Sequence, residues 1–191
     1  MATVFFVTHP DVVIDPDVPV PHWPLSPRGI ARMHVAVGQA WAMSVERVFC
    51  SAEQKAIDGA AILANARGTI FSAYEALGEN DRSATGYLPK AEFEAMADAF
   101  FARPDESVRG WERAIDAQSR IVAAVDRVIP QAGSGNIAII AHGGVGALLL
   151  CHLAGEPISR AADQPGAAGG NYFAFDLGSR NLLHRWRPID D

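Results

Sequence analysis

The hydrophobic positions of the chain fall into short continuous runs separated by amphipathic stretches. The runs are rich in Val, Ile and Phe, a pattern typical of strands buried on both faces of a sheet. They predict six strands, at residues 2–7, 45–50, 69–73, 137–141, 173–177 and 182–186. The last two flank a short turn, so we expect them to lie side by side.

Between the strands, apolar residues at helical spacing predict helices at 29–43, 52–66, 108–129 and 145–154. Ser51 is expected to cap the second of these helices. Several prolines between residues 10 and 27 predict a loop over the end of the first strand. The segment from about 77 to 104 mixes Gly, Pro and charge around a short amphipathic piece, which indicates a cap-like insertion outside the sheet.

Strands that alternate with helices predict an α/β fold, a three-layer α/β/α sandwich with a mostly parallel sheet. With 191 residues, of which 49% are apolar, the chain is long enough for a substantial core. We therefore expect one domain spanning residues 1–191.

Charge and composition exclude several classes of function. The net charge of -6 comes without a cluster of Lys and Arg, which argues against nucleic acid as a partner. No run approaches the ~20 apolar residues of a membrane span, and residues 1–7 do not resemble an export signal. We expect no membrane partner and a cytoplasmic location. Cys50 and Cys151 lie in apolar runs and are expected as buried thiols.

Two histidines directly follow predicted strands. His9 ends the first strand and His142 ends the run at 137–141. Ligands of such sheets bind beyond the carboxyl ends of the strands, and imidazole changes charge near neutral pH. Each histidine alone is equally well explained as a polar strand end, but their matching positions predict one shared site. The histidine and cysteine spacings do not form a zinc motif, so we expect no metal and no cofactor.

Five segments, in this order, resemble motifs of one family. They are Phe5-Phe6-Val7-Thr8-His9-Pro10-Asp11, Pro24-Leu25-Ser26-Pro27-Arg28-Gly29, the stretch from Val48 to Ala56, Glu106-Ser107, and Ile139-Ile140-Ala141-His142-Gly143-Gly144-Val145. Together they are similar to the histidine phosphatase superfamily, in its phosphoglycerate mutase-like branch (branch 1). The resemblance implies a phosphoglycerate mutase-like fold.

The resemblance also implies roles. His9 matches the nucleophile that forms a phosphohistidine, and His142 matches a donor to a phosphate oxygen. Glu79 matches by position the acid that protonates the leaving oxygen, with Asp81 as the competing choice. Such a two-step transfer is reasonable because it replaces one difficult displacement by two easier ones.

The sequence departs from the family pattern at the phosphate-binding positions. Thr8 and Lys55 stand where the family has arginines, so the pocket loses a cation and a bidentate grip on phosphate. Pro10 replaces a glycine and offers no backbone N–H. Arg28 or Arg82 is a candidate replacement, and Ser51 a candidate hydroxyl donor, although surface and helix-cap roles explain these residues as well.

Two functions remain open at this point. The first is a metal-independent phosphatase acting on a small phosphorylated molecule or a phosphoprotein, as a monomer or homodimer. The second is a weakly active or inactive relative that binds an anion or a protein partner, which Thr8 and Pro10 favour. A phosphoglycerate mutase is less favoured, because few spare basic residues lie near the motifs to hold a bisphosphate.

Overall fold

A computed structural model describes residues 2–166 and 168–191; Met1, the first residue of the predicted domain, and Ala167 lie outside the described residues. Within these ranges six strands form one sheet in the order β3-β2-β4-β1-β5-β6. The strands are β1 (Thr3–Thr8), β2 (Val45–Ser51), β3 (Phe71–Tyr74), β4 (Asn136–Ala141), β5 (Asn171–Asp176) and β6 (Leu182–Pro188). All six lie within a few residues of the predicted strands.

Strands β3, β2, β4 and β1 run parallel, and β5 and β6 continue the sheet in antiparallel pairings. The four parallel strands therefore end at the same edge. The described helices are α1 (Pro27–Ala36), α2 (Ala40–Met43), α3 (Gln54–Arg67), α4 (Lys90–Ala102), α5 (Ala114–Val128) and α6 (Gly143–Ala154). Short 3-10 helices occur at Val20–His22, Glu75–Leu77, Val108–Gly110, Ile129–Gln131 and Arg160–Ala162. The predicted α/β fold with a mostly parallel sheet is confirmed.

The core has two parts, one on each face of the sheet. The α5–α6 face is a cluster that includes Phe6, Phe100, Ile121 and Leu148. The α1–α3 face is a cluster that includes Val7, Met33, Leu63 and Ile140. Adjacent residues of one strand, such as Phe6 and Val7, belong to different faces because side chains alternate along a strand. Helices thus cover both sides of the sheet.

The helix predicted at 29–43 is interrupted. It divides into α1 and α2 at Val37–Gln39, where the Gly38 and Gln39 amides donate to carbonyls three residues back. Glycine favours such a break because it is a weak helix former. The break allows Trp41 to stack on Tyr172, with ring centroids 4.9 Å apart, and to donate its indole N–H to Ile189 O.

Two predicted helix starts are wrong. The helix predicted at 108–129 begins at Ala114, because Arg109 and Gly110 adopt φ angles of 50° and 83°, outside the helical region. Ser51 is not a helix cap. It is the last residue of β2, Glu53 occupies the N-cap position of α3, and the Ser51 hydroxyl accepts from the Glu53 amide at 3.1 Å.

The segment predicted as an insertion leaves β3 and returns through α4. Its helix packs on the α5–α6 face through Met96, Phe100 and Phe101. Cys50 and Cys151 are buried and free, as predicted. Across the described ranges, none of the helices has both the length and the apolar character that a membrane span requires.

Candidate active site

The structure brings the two predicted histidines together. β1 and β4 are neighbouring parallel strands whose pairing ends at Thr8 and Ala141, so the residues that follow them lie side by side. The His9 amide donates to Ala141 O at 3.1 Å, which continues the pairing by one step. The His9 and His142 rings have centroids 5.2 Å apart and are tilted by 68°. Two groups separated by 133 positions in sequence thereby share one site.

Backbone contacts define the chemical state of His9. Its Nδ1 lies 2.9 Å from Pro10 O. A carbonyl oxygen only accepts, so Nδ1 carries the hydrogen and Nε2 keeps its lone pair. Burial, followed by the nearby His142 and opposed by the Pro10 hydrogen bond, lowers the pKa of His9 to about 3. His9 is therefore a neutral imidazole with a free lone pair on Nε2 at physiological pH.

His142 is fully buried, with 1% of its surface exposed. Within the described part of the chain, neither of its ring nitrogens has a hydrogen-bond partner. Its Nε2 lies 3.3 Å from Glu53 Oε1, near enough for an electrostatic interaction. Burial lowers the pKa of His142, although Glu53 and Glu79 oppose the shift. Buried polar groups are normally hydrogen-bonded, so the unpartnered ring of His142 is an unusual feature of this site.

Glu79 lies across the N-terminus of α6. Its carboxylate oxygens accept from the amides of Gly144 at 3.0 Å and Val145 at 2.9 Å. A Cβ on Gly144 would lie 2.7 Å from Glu79 Oε1, so a side chain at that position would displace the carboxylate. Burial raises the pKa of Glu79, but Arg82, His142 and the Gly144 amide outweigh it, so the pKa is lowered. Glu79 is a carboxylate in this arrangement.

Arg82 is held beside Glu79 by aromatic rings. Its Nη2 lies 3.1 Å from Glu79 Oε2. The guanidinium carbon lies 4.9 Å from the ring centroid of Phe93 and 5.0 Å from that of Trp111. Its Nε donates to Asn80 Oδ1 at 3.0 Å. Stacking and hydrogen bonding together limit the mobility of this cation.

Lys55 supplies a second cation. It is 4% exposed, and its Nζ donates to Val20 O at 2.8 Å and to Glu53 Oε2 at 2.5 Å. The contact to Val20 connects the proline-rich loop to the site. Glu53 Oε1 also accepts from the Glu79 amide at 2.9 Å. His142 and Lys55 lower the pKa of Glu53 to about 2 despite its burial.

Sequence reasoning missed the role of Glu53 in the site. The sequence pattern did not single out this residue, because an acid near the start of a helix is ordinarily explained by the helix dipole. The one local signal is a carboxylate two residues before Lys55, at the strand edge where a phosphate site was expected. In the structure Glu53 contacts Lys55, which is close in sequence, and also His142 and the Glu79 backbone, which are distant in sequence.

Thr8 and Ser51 are buried next to the site but bond elsewhere. The Thr8 hydroxyl donates to Gln164 Oε1 at 2.6 Å and accepts from the Asn171 amide at 3.0 Å. Ser51 accepts from the Glu53 amide. Gln164, which the sequence did not single out, also lies against Gly143, where a Cβ would be 2.3 Å from its Nε2.

Two further candidates lie outside the cluster. The Arg28 side chain is 77% exposed and has its Nε 3.4 Å from Asp11 Oδ1. Asp81 is exposed and accepts from the Ser83 amide at 2.8 Å, an interaction that lowers its pKa. Among the described residues, Arg82 is paired with Glu79, whose carboxylate accepts from the amides that follow His142, whereas Arg28 and Asp81 lie at the surface.

The comparison with family models decides the family. The model of the histidine phosphatase superfamily (branch 1) matches residues 18–178, most of the chain. This chain belongs to the histidine phosphatase superfamily, branch 1. The matched region begins after β1, so it does not include Thr8-His9-Pro10. The superfamily resemblance inferred from the motifs is confirmed.

Several solved structures, phosphatases among them, share the fold. YhfR of Bacillus stearothermophilus aligns with a TM-score of 0.80 and 19% identity, over 97% of this chain and 95% of that chain. A mycobacterial glucosyl-3-phosphoglycerate phosphatase with inorganic phosphate has a TM-score of 0.76 and 19% identity, over 100% of both chains. The alpha-ribazole phosphatase of Shigella flexneri has a TM-score of 0.68 and 18% identity, over 99% of this chain and 96% of that chain.

A comparison with curated proteins gives no significant match. These solved structures confirm the predicted phosphoglycerate mutase-like fold, since they align over almost the whole chain.

In this member of the histidine phosphatase superfamily, the formal charges of the ionic pairs near the two histidines cancel. Lys55 is paired with Glu53, and Arg82 is paired with Glu79. With His9 and His142 neutral, these groups sum to zero formal charge. A phosphate that entered would bring negative charge into a site whose two cations already have carboxylate partners.

Proposed function

We propose that this protein is a metal-independent phosphatase that hydrolyses a phosphomonoester through a phosphohistidine on His9. The substrate is a small phosphorylated molecule or a phosphoprotein. One observation carries the proposal: the nucleophilic Nε2 of a neutral His9 and the unpartnered ring of His142 lie in one site with two cations. Location in the cytoplasm and a monomer or homodimer remain part of the proposal.

In the first step, the lone pair of His9 Nε2 attacks phosphorus and the bond from phosphorus to the ester oxygen breaks. The departing oxygen needs a proton, and we assign this role to Glu79, whose carboxylate lies on the Gly144 and Val145 amides just after His142. Its pKa is low in the free site, but a dianionic phosphate nearby raises the pKa of a carboxylate. Glu79 thereby takes up a proton with substrate and donates it to the leaving alcohol.

In the second step, water attacks the phosphohistidine and the nitrogen–phosphorus bond breaks. Glu79 accepts the proton from that water, and His9 returns to its neutral state. Lys55, Arg82 and the His142 ring stabilise charge on the equatorial oxygens, which is the main contribution of a protein to phosphoryl transfer. Thr8 and Ser51 support this pocket through their hydrogen bonds to neighbouring residues rather than by direct contact with the phosphate.

The test is hydrolysis of an aryl phosphate in EDTA by the wild type and by His9→Ala. We expect turnover by the wild type and a loss of at least about 10³-fold in the variant, because removal of a nucleophile leaves only binding and electrostatic effects. His34→Ala, which changes an exposed histidine, is the matched control and should keep full activity. Equal rates for the wild type and His9→Ala would refute the proposal.

Formation of the intermediate has its own readout. Wild-type protein quenched during turnover should carry an acid-labile phosphoryl group on His9, detected by mass spectrometry of peptides prepared at alkaline pH. An intermediate that accumulates equally in His9→Ala would show that another residue is the nucleophile.

Glu79→Gln should slow turnover by about 10²-fold or more, since general acid catalysis contributes that range.

A second function is favoured by the paired cations. Lys55 and Arg82 both have carboxylate partners, and Thr8 stands where the family resemblance implies an arginine, so the site also suits an anion-binding relative with little catalysis. In that case phosphate would bind, but the wild type and His9→Ala would hydrolyse the aryl phosphate at equal, negligible rates.

A further inference from the structure

Glu53 occupies a position between the groups that would bind phosphate. One carboxylate oxygen contacts Lys55 Nζ at 2.5 Å, and the other lies 3.3 Å from His142 Nε2. A carboxylate and a phosphate present similar pairs of oxygens to cations and N–H donors. Glu53 therefore makes the contacts that an incoming phosphate oxygen would need.

This placement is not explained by helix capping. Glu53 is the N-cap residue of α3, yet its side chain makes no cap hydrogen bond. It bonds instead to the Lys55 side chain and accepts from the amide of Glu79, 26 positions further along the chain. A capping acid would bond to the first amides of α3. The side chain instead completes the site.

We propose that Glu53 is a built-in competitor of phosphate and sets the affinity of the site for phosphorylated ligands. A ligand binds by displacing the Glu53 carboxylate from Lys55 and His142. The inference rests on the proposed phosphate site and adds a specificity-determining residue to it. Because the Glu53 carboxylate and phosphate compete for Lys55, the carboxylate weakens the binding of inorganic phosphate, the product of the proposed reaction.

The experiment is calorimetric titration with inorganic phosphate at pH 8, where phosphate is a dianion. Glu53→Gln keeps the shape of the side chain and removes its charge. We expect it to bind phosphate about tenfold or more tightly than the wild type, because a like charge next to the ligand is lost. Glu53→Asp keeps the charge and should bind as weakly as the wild type.

Glu92→Gln is the matched control. Glu92 is an exposed acid on α4, so the variant has the same net charge as Glu53→Gln without altering the site. It should bind phosphate like the wild type. Thermal unfolding of each variant shows whether it is folded. If Glu53→Gln does not fold, Glu53→Ala replaces it with the same expectation.

The outcomes separate the two proposals. If Glu53→Gln binds phosphate no more tightly, binds it more weakly, or shows no binding, the inference about Glu53 is overturned. His9-dependent hydrolysis observed alongside that result would leave the proposed phosphatase intact. Tighter binding by Glu53→Gln, with equal negligible hydrolysis by the wild type and His9→Ala, would support Glu53 as competitor and refute the phosphatase.

Discussion

At the scale of single residues, burial keeps His9 uncharged. Its pKa of about 3 in the folded protein lies below the ordinary value of 6.5. Between these values the unfolded chain binds a proton that the folded protein does not, so stability falls as the pH falls from 6.5 towards 3. Between pH 7 and pH 5, the free energy of unfolding should therefore fall by about 1–2 kcal/mol less in His9→Gln than in the wild type.

Urea denaturation at the two pH values measures this difference. The lowered pKa of His142 acts in the same direction, so part of the pH dependence persists in His9→Gln. Glu53 and Glu79 also have lowered pKa values. Their contribution to the free energy of unfolding is lost only below the ordinary carboxyl pKa of 4.5, outside this pH range. His34→Gln at an exposed position is the control; a pH dependence of His9→Gln identical to that of the control would mean that His9 titrates normally.

At the scale of elements, α5 holds the loop that carries Glu79. Arg120 of α5 donates to Ala76 O, Gly78 O and Glu79 O at 2.9–3.1 Å, and it is paired with Glu112. Lysine lacks the planar guanidinium group and cannot donate all of these hydrogen bonds at once. Arg120→Lys should destabilise the protein by about 1.5–3 kcal/mol, the range for hydrogen bonds to a charged group, and it should lower kcat through a misplaced Glu79.

Chemical denaturation and aryl phosphate kinetics test this prediction. Arg127→Lys, on an exposed position of the same helix, is the control and should change neither stability nor kcat. If Arg120→Lys lowers stability but leaves the pH dependence and size of kcat unchanged, Arg120 supports the fold without positioning Glu79.

At the scale of the whole molecule, one sheet joins two cores. Phe6 belongs to the α5–α6 face and Ile140 to the α1–α3 face, and both are completely buried. Because the faces share the central strands, we expect one cooperative unfolding transition. Phe6→Ala should destabilise the protein by about 3–5 kcal/mol and Ile140→Ala by about 2–5 kcal/mol.

Circular dichroism and tryptophan fluorescence should show the same midpoint in each variant. Trp111 reports on the α5–α6 face and Trp41 on the α1–α3 face. Ile70→Ala, at a residue that is 82% exposed, should change stability by no more than about 0.5 kcal/mol. Separate transitions for the two faces would mean that they are independent folding units.

The strands and the two histidines were predictable from the sequence. Continuous Val, Ile and Phe runs have the local signature of β1 and β4, and the residue after a parallel strand must lie at the sheet edge. The order of the motifs indicated the superfamily, because each motif is a local pattern that can be recognised in the sequence. Helix starts were less predictable: the positive φ of Arg109 and the N-cap role of Glu53 depend on how the chain packs.

By itself, the sequence determined the α/β architecture and the pairing of His9 with His142, because hydrophobic periodicity and strand ends are local properties. It indicated the superfamily through the resemblance of its motifs. Tertiary structure alone decided which charges meet. Glu53 reaches the Glu79 amide across 26 positions, and Thr8 reaches Gln164 across 156. Such contacts depend on distances in space, which residue spacing does not encode. The electrostatics of the site, and with it the role of Glu53, therefore appear only in the folded chain.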